Sequence, residues 1–348
     1  SDGSATLPAT VAVKNGVGSF NVIFRTSGTQ TITASSGAIS AVSNNIAVST
    51  AATHYNVQLA SMTVGAGASV TFAVTALDAS ENVATGYTGM VLFSSSDPKA
   101  TFGVNKVKLT HGVGTFSVIL KTIGDQTITA SDFSNHSITG TSTSTVTVTA
   151  GAATKFAITG APPSATAGIG FTFTVAAQDI FGNTADSYSG TVTFSSSDTR
   201  LSTLLPADAT LIDGVGTFSA TLTSAGTRSI TARDTLNGTI TGTKNITVVG
   251  AAATNLSISV PQNAIAGTPF TVTVTGKDEF GNGANTTLDL FTDDPLANMP
   301  TITLVNGIAT FTVTLQSAGT FTISATDLTT GATTTSNGIT VTINKLVR

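Results

Sequence analysis

Cysteine and tryptophan are absent from these 348 residues, and tyrosine appears three times. Without cysteine there are no disulfide staples, no thiolate metal sites and no cysteine nucleophile. An oxidising exterior is compatible with that lack. Charge is nearly as scarce. Asp, Glu, Lys and Arg make up 9% of the chain, where an ordinary soluble domain carries roughly 25%. A net charge of −4 leaves no basic footprint, which argues against nucleic acid as a partner. Clusters of Lys and Arg that would dock on anionic lipid are missing too. No run of about 18 consecutive apolar residues occurs, so no transmembrane helix and no membrane insertion is expected in this segment. The first residues lack the basic-then-apolar order of a signal peptide, as a mature or excised segment would, and as a cytoplasmic protein would.

What is present is repetition. The stretch HGVGTFSVILKTIGDQTITASD, His111 to Asp132, recurs as NGVGSFNVIFRTSGTQTITAS from Asn15, DGVGTFSATLTSAGTRSITARD from Asp213 and NGIATFTVTLQSAGTFTISATD from Asn306. The opening glycines, Gly16, Gly112, Gly214 and Gly307, stand 96, 102 and 93 residues apart. A period near 100 residues exceeds that of a solenoid repeat and suits a small β-sandwich. With 40% hydrophobic residues, each block can build its own core.

Side chains in the repeated stretch alternate with period two. Phe116, Val118 and Leu120 share one face, and Thr115, Ser117 and Ile119 the other. The same register gives Phe20, Val22 and Phe24; Phe218, Ala220 and Leu222; and Phe311, Val313 and Leu315. One apolar face and one hydroxyl face describe a half-buried antiparallel strand. A turn with Gly28, Gly124, Gly226 or Gly319 follows, then a strand with Ile32, Ile128, Ile230 or Ile323 facing in. The stretch therefore reads as a β-hairpin joining strands E and F of a sandwich. Upstream, ATKFAITG, GFTFTVAAQD and SGTVTFSSSD also recur, and closing strands such as TSTVTVTA and KNITVVG end each block. The expected fold is all-β: tandem Ig-like, seven-stranded β-sandwich domains in an extended array.

The repeated stretch, together with the DIFGN turn at Asp179 to Asn183 and DEFGN at Asp278 to Asn282, resembles the bacterial Ig-like repeats of invasin/intimin-type surface proteins, and more distantly filamin-type repeats. The resemblance spans the whole chain, and its motifs mark a fold. The second block departs from it with DASEN at Asp78 to Asn82, and the last has FTDDP, Phe291 to Pro295, in place of SSSD. The resemblance implies an extracellular or cell-surface rod, adhesive or part of a surface coat.

The blocks fall at residues 1–50, 51–150, 151–250 and 251–348. Residues 1–50 supply only the C-terminal half of an Ig-like domain. Such a half leaves an apolar face and strand edges uncovered, explained by excision from a longer array or by strands from another subunit. The closing TINKLVR carries no stop signal, which favours excision. The joints at Ala51–Ala52, Gly151–Ala152 and Ala251–Ala252 are short, so limited bending is expected.

Chemistry-bearing constellations are few. His54 lies at a joint, His136 in a loop, and His111 replaces Asn15, Asp213 and Asn306 at one turn position. All three read as structural rather than as zinc or acid–base groups. Gly112-Val113-Gly114 precedes a strand, whereas a phosphate-cradling loop must open a helix. In DIFGN and DEFGN, turn chemistry explains the composition. A calcium site at Asp179, or at Asp278 with Glu279, is the one cofactor alternative weighed. Asp293–Asp294 reads as a solvated loop. Sequons occur at Asn135, Asn237, Asn245, Asn255 and Asn285, as chance allows in such a composition. No catalytic, cofactor-binding or metal residue is assigned, and the chain is not expected to be an enzyme. The expectation is a structural or adhesive rod on a prokaryotic surface, with other copies, other surface proteins or cell-surface glycans as partners. Two alternatives stay open. One is a self-assembling subunit of a surface layer or filament, because the strand edges lack Lys gatekeepers. The other is a spacer module of a large secreted enzyme.

Overall fold

The computed structural model describes residues 1–343, so the Asn344–Arg348 part of TINKLVR lies outside the described residues. The chain divides into two compact units, one of Ser1–Gly151 with Asp179–Asn183 and one of Ala152–Gln178 with Thr184 onward. Every regular element among the described residues is a β-strand, and no helix is long and apolar enough to cross a membrane.

Within the second unit, two Ig-like sandwiches follow one another, each with a separate core. In the first of them, Lys155–Thr159, Gly170–Gln178 and Val215–Thr221 form one antiparallel sheet. The facing sheet has the order Ser164–Thr166, Thr241–Val249, Gly226–Asp234, Thr191–Ser196 and Ala209–Thr210. The alternation read from the sequence sets which side chains meet between them. Phe173, Leu222, Ile230 and Ile246 are all at most 1% exposed. Phe173 stands directly opposite Phe218 in the ladder, and Phe194 from the other sheet lies against both, with ring centroids 5.9 and 4.6 Å away. The second sandwich repeats the plan around Val272, Leu288, Leu315 and Ile323. In the first unit, Phe72, Phe93, Phe102 and Phe116 fill the equivalent core.

Outward faces carry hydroxyls instead of charges. Thr231 and Thr243 pair across two strands at 2.8 Å, as do Thr129 and Thr141. His54–Glu81, at 3.4 Å, is the one ion pair among the described residues.

Two expectations need correction. The repeated stretch is not a hairpin: Val215–Thr221 belongs to one sheet and Gly226–Asp234 to the other, and Val113–Ile119 and Ile128–Asp132 are divided in the same way. Alternation shows which face of a strand is apolar but not which neighbour it pairs with, and both strands face the same core from opposite sides. The tight turn instead precedes the strand. His111, Asp213 and Asn306 take φ of 51°, 49° and 52°, each followed by a glycine, and Thr110 and Val113 exchange backbone hydrogen bonds across the turn. The sandwich of Lys155–Val249 also has eight strand segments instead of seven. Its first strand breaks after Thr159, where Gly160 turns to φ +71° and Pro162–Pro163 can donate no ladder hydrogen bond. The chain resumes in the opposite sheet, where Ser164–Thr166 lies parallel to the closing strand.

Truncating Phe173 to alanine removes a fully enclosed ring from this core and should cost roughly 3–5 kcal/mol. Urea unfolding of the Phe173→Ala chain should shift the transition of the second unit and leave the transition governed by Phe72 in place.

Candidate functional site

The candidate site is a set of aspartates that recur in each sandwich. Nine of them, Asp78, Asp97, Asp132, Asp179, Asp198, Asp234, Asp278, Asp294 and Asp327, are buried, half of the 18 acidic residues in the sequence. A buried carboxylate persists only when donors satisfy it, and here the donors are mostly backbone N–H groups.

The first group ties the crossing between sheets. Asp198 Oδ2 accepts from the N–H groups of Thr223 and Ser224 at 2.6 and 2.8 Å, and Oδ1 from the Ser224 hydroxyl at 2.6 Å. Asp97 does the same for Lys121 and Thr122 at 2.5 and 3.0 Å. Asp294 does so for Gln316 and Ser317 at 2.6 and 3.0 Å, and Asp2 for Arg25 and Thr26 at 2.6 and 2.9 Å. The expectation of a solvated Asp293–Asp294 loop is thereby overturned: Asp294 is 1% exposed, and Asp293 accepts from Thr322 N–H at 2.6 Å. Burial works to raise the pKa of Asp294, but the Ser317 hydroxyl and backbone N–H donors outweigh it and hold the pKa at about 2.

A second group ends the strands Ile128–Asp132 and Gly226–Asp234. Asp132 accepts from the Tyr87 hydroxyl and from Ser134 and Asn135 N–H at 2.7 and 2.8 Å. Asp234 accepts from the Tyr188 hydroxyl and from Leu236 and Asn237 N–H at 2.7 and 2.6 Å. Burial raises the pKa of Tyr87 and Tyr188, and the hydrogen bond to the aspartate adds to it. The same loops explain two sequons as turn chemistry. Asn135 Oδ1 accepts from Ser137 N–H and hydroxyl, and Asn237 Oδ1 from Thr239 N–H and hydroxyl. Asn245 and Asn255 lie exposed on strands, and Asn285 Oδ1 accepts from Asn306 N–H at 3.1 Å.

The third group is the DEFGN turn, inside the second unit. Asp278 Oδ1 accepts from Phe280 and Asn282 N–H at 3.0 and 2.8 Å, and Oδ2 from Ala251 N–H at 3.0 Å. Asn282 Nδ2 donates to Asp278 Oδ2 and across the joint to the Thr223 carbonyl, both at 2.8 Å. Ala225 N–H donates back to Asn282 Oδ1 at 2.9 Å. Arg200 donates to the Phe280 carbonyl, and the Phe280 ring lies where a Cβ on Gly168 would sit, 2.5 Å away. Inside the first unit, Asn183 likewise donates to the Lys121 carbonyl at 2.7 Å and to Asp179 Oδ2 at 2.8 Å. N–H donors thus face both oxygens of Asp179 and of Asp278, where a calcium ion would need free lone pairs. Among the described residues, Asp278 and Glu279 are not joined into any group of three or more His, Asp or Glu side chains placed to hold a metal ion.

The DASEN turn differs. Ser80 stands where the phenylalanine would be, and Glu81 takes φ +63° at the glycine position, at a cost of about 1 kcal/mol. Asn82 N–H still donates to Asp78 Oδ1 at 2.9 Å, but its side-chain amide reaches Asp78 only at 3.4 Å. The histidines are not brought together. His54 sits beside Thr53 and Glu81, His111 occupies its turn, and His136 is exposed. Sequence reasoning missed the aspartate ties, although their recurrence at fixed places in each block was the available signal.

No protein-family model matches the sequence, and no curated protein matches it. Among solved structures the chain is similar to the Escherichia coli adhesin FdeC, 20% identical over 84% of this chain and 98% of that one, with a TM-score of 0.44. It is similar to invasin, described as a bacterial integrin-binding protein, at 18% identity over 83% of this chain and 60% of that one, with a TM-score of 0.42. A surface layer protein, SbsC domains 4–9, is 18% identical over 84% of this chain and 48% of that one, with a TM-score of 0.26.

The depressed aspartates set the acid response. An unfolded aspartate titrates near 3.9, so a group lowered in the fold contributes stability above about pH 4 and loses it as pH falls through its folded value. The urea midpoint should stay level from pH 8 to 5 and drop between about pH 4 and 2. Asp294→Asn should flatten that drop for the sandwich that contains it.

Proposed function

We propose that this chain is a non-catalytic structural and adhesive array on a prokaryotic cell surface, with successive repeat units at residues 1–50, 51–150, 151–250 and from 251 onward. The observation that carries this reading is the Asn282 joint. Its side chain holds Asp278 of its own sandwich and the Thr223–Ala225 backbone of the preceding one. Such a joint transmits load from one sandwich to the next instead of letting the linker swivel. Nine of the 18 acidic side chains are buried, where they hold loops and crossings. The faces left to solvent are hydroxyl-rich and chemically quiet, as suits an exposed spacer that presents a contact surface to other surface proteins or glycans.

Stretching the chain by its ends tests the reading. Three complete sandwiches should yield as three separate steps, each releasing roughly 300 Å of contour for about 95 residues at 3.3–3.6 Å each. Asn282→Ala strips buried hydrogen bonds and should cost about 1–3 kcal/mol. That variant should separate the thermal transitions of the two sandwiches of the second unit. Unchanged transitions, or yielding as one featureless extension, would count against load transmission through the joint.

A further inference from the structure

Five Asn-Gly pairs occur in the chain, at Asn15–Gly16, Asn237–Gly238, Asn282–Gly283, Asn306–Gly307 and Asn337–Gly338. This dipeptide has a chemistry of its own. The glycine nitrogen can attack the asparagine side-chain amide, because a residue without a Cβ neither blocks the approach nor stiffens the backbone that must bend for it. Four of the five asparagines are exposed. Asn282 is 7% exposed, and it is the asparagine that bridges two sandwiches.

The residue after the asparagine confines this chemistry to one joint. Asn82 is followed by Val83 and Asn183 by Thr184, and a stiff β-branched neighbour obstructs the attack. Packing dictates the glycine at 283. A Cβ there would stand 2.2 Å from the Asn306 carbonyl oxygen and 2.9 Å from Gly307 N, so the turn before Ile308–Val313 could not close down on it. Gly283 N–H finds no backbone acceptor among the described residues, which leaves the attacking nitrogen untied.

The amide it would attack is tied. Asn282 Nδ2 donates to Asp278 Oδ2 and to the Thr223 carbonyl, both at 2.8 Å, and Oδ1 accepts from Ala225 N–H at 2.9 Å. Ring closure needs the face of that amide turned to the following nitrogen, with the reacting atoms about 3–3.5 Å apart. Hydrogen bonds to two sandwiches fix its plane instead. We infer that Asn282–Gly283 is a site of spontaneous modification that reacts when the joint opens.

In that reaction Gly283 N loses its proton to solvent and bonds to Asn282 Cγ. The C–N bond of the side-chain amide breaks, and ammonia leaves. Water then opens the cyclic imide to aspartate or isoaspartate at position 282. Either product puts a carboxylate in the joint, where Nδ2 now lies 2.8 Å from Asp278 Oδ2. Like charges so close disfavour each other's ionisation, and the Thr223 carbonyl loses its donor. With ammonia gone, closing the joint no longer restores it, so a transient opening becomes a permanent release. The reaction depends on the joint alone, whatever the array is attached to.

The test incubates the full chain in mildly alkaline buffer, native and unfolded in urea, and follows Asn282 and Asn337 by peptide mass mapping with isoaspartate detection. Asn282 should convert roughly ten- to a hundredfold more slowly in the native chain than in urea, the factor that its buried hydrogen bonds correspond to. Phe280→Ala, which empties the niche at Gly168, should speed conversion at Asn282 in native buffer and leave Asn337 unchanged. Arg200→Ala, which removes the donor to the Phe280 carbonyl, should act in the same direction. Equal rates at Asn282 with and without urea overturn the inference, and so does a native rate that neither variant raises. These rates are read by mass, so they decide the inference even where Asn282→Ala leaves the thermal transitions together and load transmission fails.

Discussion

A backbone N–H that leaves a β-ladder and stays out of water has to find an acceptor, and in this chain that acceptor is the carboxylate of an aspartate. Every sandwich must carry its chain from one sheet to the other. At that crossing two successive N–H groups point into the molecule with no strand beside them. Asp97, Asp198 and Asp294 each take both. The cores supply most of the favourable free energy through apolar burial, but the aspartates decide which connections are tolerable. A chain so poor in charge therefore places half of its acidic residues in the interior, where each has a structural task.

The repeats, the apolar faces and the position of the tight turn could be read directly from the residues. His111 stood where asparagine and aspartate stand in other copies, and its φ of 51° shows why that place favours residues that tolerate the left-handed region. The sheet to which each strand belongs could not be read. Phe218 and Ile230 both point at one core, and nothing in a period of two says that they do so from opposite sides. The end of the first strand at Gly160 is legible, but the three-residue segment Ser164–Thr166 is too short to show an alternation that would place it beside the closing strand. Asp294 was missed for another reason: an aspartate between turn residues looks the same in sequence whether it faces water or a pair of amides.

The joints show how little sequence separates a locked connection from a looser one. Phe280, Gly281 and Asn282 act together. The ring fills the space left by Gly168, the glycine permits φ +79°, and the amide bridges two sandwiches. In the turn at Asp78 to Asn82, the ring and the glycine are both replaced, and the asparagine side-chain amide hydrogen bonds only weakly, within its own turn. The Ser27 hydroxyl does donate to the Val83 carbonyl at 2.7 Å, a single hydrogen bond where the other turns have several. Stiffness along the chain is thus set turn by turn.

The near absence of ion pairs reaches beyond composition. Electrolyte acts on proteins largely by screening charges on their surface, and here threonine pairs such as Thr231 with Thr243 occupy the outer faces where such charges usually stand. Brine and dilute water would meet nearly the same molecule, neither loosened nor tightened by the change. Indifference to salinity follows from what the surface of the chain is made of.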